Sequence, residues 1–243
     1  MNWYHFTIGK MTEMLGSPDL VTSYSSINDP DGRFESRELR ISNSRREQQG
    51  CYPTDAESLE SLKMASDYCN AGNDSLARGD FDSALDYHTR ALSILERVLP
   101  PDHTDLALGY SNVGSAYCGL GQYEHALDYQ KKALEIMCDS LEGTHPSIAL
   151  QCINVGNLYL NLGDYESGLE YHQRALTSMS NGALHDHPDC ASEMAIVGLI
   201  YEKLGDTRQA ERYYTEAILI LEELGSGDQL LTELQEKVRQ LGN

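Results

Sequence analysis

The chain has 243 residues and a formal net charge of −20. Residues 1–50 hold six basic and seven acidic side chains, so residues 51–243, with 12 basic against 31 acidic, carry −19. So acidic a surface repels phosphates and anionic lipid headgroups, which sets nucleic acid and membrane surfaces aside and favours a neutral or basic polypeptide as partner.

Residues 1–55 are read as a largely disordered N-terminal segment. Ser23–Gly50 is rich in Ser, Asn, Asp, Arg and Gln and buries little apolar surface. Trp3, Tyr4, Phe6, Ile8, Met11 and Leu15 read as a short helix over 1–15. Arg33, Arg37, Arg40, Arg45 and Arg46 read as a solvated linker, with a docking or phosphorylation segment as the alternative. No charged n-region followed by an apolar h-region opens the chain, and no apolar run reaches about 18 residues. The six cysteines include no C-x-x-C pair, and most fall in helical pattern as small buried hydrophobes. A reducing, cytoplasmic setting is expected.

From Ala56 onward the chain repeats. Gly79, Gly121, Gly163 and Gly205 stand 42 residues apart, as do Tyr87, Tyr129, Tyr171 and Tyr213, and Ala91, Ala133, Ala175 and Ala217. His103, His145 and His187 keep the same step. Self-similarity at a fixed step of this size means stacked units. In the unit opened by His103, Ala107, Tyr110, Gly114 and Tyr117 follow 3-and-4 spacing, one face of a helix. Gly121 ends that helix, and Gln122–Tyr123 open a second whose apolar face is Tyr123, Ala126, Leu127, Ala133, Leu134 and Met137. Asp80, Asp164 and Asp206 follow the stop glycine as N-caps, and Pro146 and Pro188 open first helices. The expected organisation is four hairpins, about 56–101, 102–143, 144–185 and 186–225, plus a capping helix at 228–241 with a stripe of Leu231, Leu234, Val238 and Leu241.

Gly72, Gly114, Gly156 and Gly198 recur inside the first helices, where Gly costs about 1 kcal/mol relative to Ala, so a neighbouring helix must come close there. Ala84, Ala126, Gly168 and Ala210 mark the matching place on the second helices. Tyr117, Tyr159 and Tyr201 are expected to fill the gap beside the small residues. Ser75 replaces them in the first unit, which reads as an edge.

The run Gly156, Tyr159, Gly163-Asp164-Tyr165, Leu169, Tyr171, Ala175-Leu176 resembles the tetratricopeptide repeat. The 42-residue step and the opening His145-Pro146 and His187-Pro188 resemble the longer variant of kinesin light chains and nephrocystin-like proteins. The resemblance covers roughly 56–243 and implies an all-α, right-handed superhelix of helix-turn-helix repeats, whose first helices line a concave groove for an extended peptide or a partner helix. The heptad coiled coil that precedes the repeats in kinesin light chains is absent, which argues against a full motor subunit.

Asn70, Asn112 and Asn154 recur two residues before the small Gly, with Asn73 and Asn157 one helical turn on. An Asn amide donates and accepts, so such a ladder can bond the main chain of a bound peptide. Asn is a poor helix former, and its recurrence mid-helix asks for a reason. The alternative is solvation or bonding to a neighbouring helix. The other inferred groove residues are Leu108, Ser111, Leu150, Ile153 and Leu160; in the fourth unit Ile196 and Leu199 form an apolar end for the capping helix or a partner's anchor. Tetratricopeptide domains that clamp a chaperone's C-terminal carboxylate resemble the chain at Asn73 and Asn112, but the places for cations hold Cys69, Leu150 and Asn154, so that ligand is not expected.

No G-x-S-x-G, Walker loop or H-E-x-x-H appears, and neither catalysis nor a cofactor is expected. His185-Asp186-His187 resembles a metal-site fragment, yet His187 is the repeat-opening histidine, so no metal site is expected; His88 and His172, two steps apart, read as repeat-matched surface or packing residues. The expected function is a non-catalytic adaptor or scaffold. The alternatives are a kinesin-light-chain-like cargo reader and a regulatory or oligomerising subunit.

Overall fold

In a computed structural model of the chain, the described residues are 53 and 55–242, apart from 142, 144, 182–187 and 226–228. The short helix expected over 1–15, the arginine-rich linker and the His185-Asp186-His187 fragment lie outside them. All regular structure among the described residues is helical: α1 Ala56–Ala77, α2 Phe81–Val98, α3 Thr104–Gly119, α4 Tyr123–Ser140, α5 Pro146–Asn161, α6 Tyr165–Asn181, α7 Pro188–Lys203, α8 Thr207–Glu223 and α9 Gln229–Leu241. The chain divides into two compact units between Ser140 and Leu141.

In the first unit α1 packs on α2, α2 on α3 and α3 on α4. Its core joins Ala65, Leu92, Leu95, Leu99, Leu106 and Val113. In the second unit α5 packs on α6, α6 on α7, α7 on α8 and α8 on α9. One cluster there holds Ala149, Leu176, Met179, Cys190 and Val197. Another brings Leu199 together with Leu221 and with Leu230 and Leu234 of α9, so of the apolar pair Ile196 and Leu199 it is Leu199 that joins the cluster with the capping helix.

The hairpin turns follow from the glycines. Gly79, Gly121, Gly163 and Gly205 have φ between 73° and 81°. At the second of these, Gly121 N–H donates to the Cys118 carbonyl and Gln122 N–H to the Tyr117 carbonyl, both at 2.9 Å, a left-handed close that satisfies two orphan carbonyls. Asp80, Asp164 and Asp206 then accept from the backbone N–H of Ser83, Ser167 and Gln209 at 3.2, 3.0 and 3.1 Å. The repeat-opening histidine turns out to be a cap as well. The Nδ1 of His103 accepts from Asp105 N–H at 3.1 Å, and the Nδ1 of His145 from Ser147 N–H at 3.2 Å.

The small residues have a specific partner. A methyl added at Gly72, Gly114, Gly156 or Gly198 would stand under 3.0 Å from His88, Gln130, His172 or Tyr214 respectively. Each partner lies 16 residues downstream on the second helix, and all four are buried. Tyr117, Tyr159 and Tyr201 do not fill that gap. They stack on Tyr129, Tyr171 and Tyr213, with ring centroids 5.4, 5.5 and 5.5 Å apart. An aromatic pair of this kind prefers an offset ring face to a helix-interior slot one methyl wide. His88 and His172 are therefore packing residues, not surface ones.

Candidate functional site

The nine expected groove residues all lie on first helices. Asn70 and Asn73 are on α1, and Leu108, Ser111 and Asn112 on α3, in the first unit; Leu150, Ile153, Asn154 and Asn157 are all on α5, in the second. Their surroundings differ.

In the first unit Asn70 and Asn73 are exposed, and Leu108 is 54% exposed despite its apolar side chain. Asn112 is half-buried and hydrogen-bonds the Cys69 side chain of the preceding first helix. Burial pushes the Cys69 thiol up from its ordinary value, the bond to Asn112 works against that, and the charge of Asp105 adds to it. Ser111 is turned into its own hairpin. Its Oγ donates to Gln130 Oε1 at 3.1 Å, and Gln130 Nε2 donates back to the Ser111 carbonyl at 3.1 Å.

In the second unit Leu150 is 38% exposed, while Ile153, Asn154, Asn157 and Leu160 are buried. The Oδ1 atoms of Asn154 and Asn157 have no hydrogen-bond partner. A buried amide oxygen left unpaired costs about 1–3 kcal/mol, so two of them one helical turn apart are an unused acceptor pair.

The electrostatics are one-sided. α3 and α5 contain no Lys or Arg, and across α1, α3, α5 and α7 only Lys63 and Lys203 offset Glu57, Glu60, Asp67, Asp74, Asp105, Asp189, Glu193 and Glu202. The three places where a carboxylate clamp needs cations hold a half-buried thiol, an exposed Leu and a buried amide. Among the described residues no group of three His, Cys, Asp or Glu side chains is placed to hold a metal ion, and no helix is long and apolar enough to cross a membrane.

Two polar arrangements, one fully buried and one partly exposed, escaped the sequence reading. His172 Nδ1 meets Glu193 Oε1 at 2.6 Å, both side chains fully buried, and this pair joins the third hairpin to the fourth. Its only signal in sequence is that Glu193 stands one step after Gln151. At the end of the chain Glu202 Oε2 accepts from Tyr214 Oη at 2.8 Å and from Lys237 Nζ at 2.9 Å, and the Lys237 ammonium sits 5.6 Å over the Tyr214 ring. Burial pushes the Glu202 carboxyl up, but the bonds from Lys237 and Tyr214 more than reverse this and hold it below its ordinary value. Burial first, and then the bond to Glu202, drives the Tyr214 phenol far upward.

The tetratricopeptide repeat profile matches residues 62–139 and 147–223, well over half of the chain. The fold is similar to that of a putative kinesin light chain with nearly identical tetratricopeptide-like repeats from Podosopora anserina, with a TM-score of 0.66, 15% identity, and 74% of this chain and 86% of that one covered. It is also similar to BtubC (BKLC) from P. vanneervenii, with a TM-score of 0.63, 18% identity, and 85% and 79% covered. No curated protein matches the sequence.

Proposed function

Since the chain belongs to the tetratricopeptide repeat family, we propose that it is a non-catalytic adaptor whose first helices bind an extended peptide, or a partner helix, of neutral or basic character. The observation that carries this reading is the recurrence of Asn70, Asn112 and Asn154 at one helical position, with the buried oxygens of Asn154 and Asn157 lacking donors. Within either unit, a main chain running past these amides supplies N–H groups whatever its side chains are. Leu108 and Leu150, exposed at one repeat position, offer apolar contact beside the amides. The carboxylate excess of the first helices disfavours an acidic ligand and a chaperone's C-terminal carboxylate. The fold likeness to kinesin-light-chain repeats supports a cargo-recognition form of the same reading. Pairing of chains through the last hairpin is less well supported, because α9 already covers Leu199.

The test is a displayed peptide library selected on the full chain, followed by affinities for Asn112→Ala/Asn154→Ala. Each lost bond costs about 1 kcal/mol, so the double variant should bind about 10- to 30-fold more weakly. Unchanged affinity with intact helicity refutes the amide contact.

A further inference from the structure

Within each unit, a first helix packs on the second helix before it through one strip of side chains. On α3 the strip is Leu106, Gly109, Val113 and Ala116, and Leu106 and Val113 share a core with Leu92 and Leu95 of α2. On α7 it is Cys190, Glu193, Val197 and Ile200, and Cys190 and Val197 share a core with Leu176 and Met179 of α6. The matched residues of α1, one 42-residue step before those of α3, are Met64, Asp67, Ala71 and Asp74. Met64 is 48% exposed where Leu106 and Cys190 are 4% and 0% exposed. Ala71 is half-buried, and both aspartates are exposed. The strip on α1 is an open seam, apolar at Met64 and Ala71 and acidic at two places.

The chain itself shows what a carboxylate does in such a seam. Asp67 stands at the repeat position of Glu193. Glu193 meets the His172 ring of the preceding second helix at 2.6 Å. Asp74 follows Asp67 by seven residues, about 10 Å along the helix. Its matched residues Ala116 and Ile200 are apolar and buried, so packing between hairpins does not call for this charge. A free end needs only polar side chains to stay soluble, and that need leaves no reason for a methionine between the acids.

We propose that the α1 seam is a docking surface for a helix of another protein, amphipathic and basic, which packs on α1 as α6 packs on α7. Its apolar row covers Met64 and Ala71, and two cations seven residues apart meet Asp67 and Asp74. Charge decides the occupant. Within α1 only Lys63 offsets Glu57, Glu60, Asp67 and Asp74. Residues 51–243 carry −19, so a second copy brings like charge to an acidic strip, whereas a basic helix is drawn to it. The surface is a different strip of α1 from Asn70 and Asn73, and the proposal does not rest on the groove reading.

The probe is a fluorescent peptide of the α6 sequence Tyr165–Asn181 carrying Tyr165→Lys and His172→Lys, stapled because an isolated 17-residue helix is marginal. Anisotropy with the full chain should show saturable one-to-one binding that weakens as salt rises. Asp67→Asn/Asp74→Asn should weaken it about 5- to 10-fold. Met64→Asp should abolish it. All three altered residues are exposed, and helicity should not change. Asn112→Ala/Asn154→Ala should leave this affinity as it is, which keeps the test separate from that of the groove. Equal binding of a peptide with Glu in place of the two Lys overturns the proposal, as does unchanged affinity in the Asp67/Asp74 variant. No saturable binding by the full chain also overturns it, the result expected if the chain's own residues fill the seam. A dimer in sedimentation that Met64→Asp dissolves overturns it in favour of a second copy.

Discussion

Gly156 of α5 lies against the imidazole of His172, so closely that a methyl on Gly156 would stand 2.8 Å from the ring. The ring cannot retreat, because its Nδ1 is held by Glu193 at 2.6 Å. The glycine in a helix interior is therefore a consequence of a polar ring on the next helix.

Gly156→Ala should destabilise the second unit in spite of the better helix propensity of Ala. Overpacking costs about 1–3 kcal/mol, against about 1 kcal/mol of propensity gained. The expected pattern is a urea midpoint lowered in the single variant, and a Gly156→Ala penalty that disappears when it is measured in a His172→Ala background.

Glu193→Ala should cost about 3 kcal/mol or more, because it strands a buried imidazole where a charged or strongly hydrogen-bonded partner stood. Glu193→Gln keeps an acceptor and should cost clearly less. Equal losses in denaturant unfolding would show that the contact acts through packing alone.

His88 is buried, and loss of water pulls its pKa down from 6.5 to about 4. The folded chain holds it neutral, while the unfolded chain takes up a proton below 6.5. Stability from this group is full above pH 6.5 and is lost as pH falls towards 4, reaching about 2 kcal/mol by pH 5. His88→Gln, which copies Gln130 at the matched position, should flatten the fall between pH 7.5 and 5. An unchanged slope would place the acid sensitivity elsewhere.

Lys237→Ala should loosen the capping helix, since it removes both the bond to Glu202 and the cation over Tyr214. A loss of about 1 kcal/mol and faster amide exchange across α9, with α5 and α6 unaffected, is expected.

The hairpins were legible because their signals are local. The 42-residue step, the stop glycines and the caps at Asp80 and Asp206 each act within a few residues. The reason for Gly72, Gly114, Gly156 and Gly198 is half legible: the pattern implies a close second helix, with Tyr117, Tyr159 and Tyr201 expected in the gap beside the small residues. The actual partner stands 16 residues on, across a turn, where periodicity within one helix carries no information. His103 and His145 read in the sequence as markers and not as caps, because their Nδ1 atoms accept only once the backbone turns to meet them. The asparagine positions were read as equivalent. Asn70 is exposed and Asn154 buried, and that difference depends on what lies over each helix, which a repeat pattern holds constant by construction.

The partner of the small glycine is His88 in the first hairpin, Gln130 in the second, His172 in the third and Tyr214 in the fourth. Tyr214 reaches back to Glu202 and His172 reaches forward to Glu193, so each of these two brings its own counterpart with it. The modules are keyed and cannot be shuffled freely. Transplanting α8 into the third hairpin would deliver a phenol without its Glu202 and leave Glu193 buried without its imidazole, so a recombined array needs the key and its lock moved together.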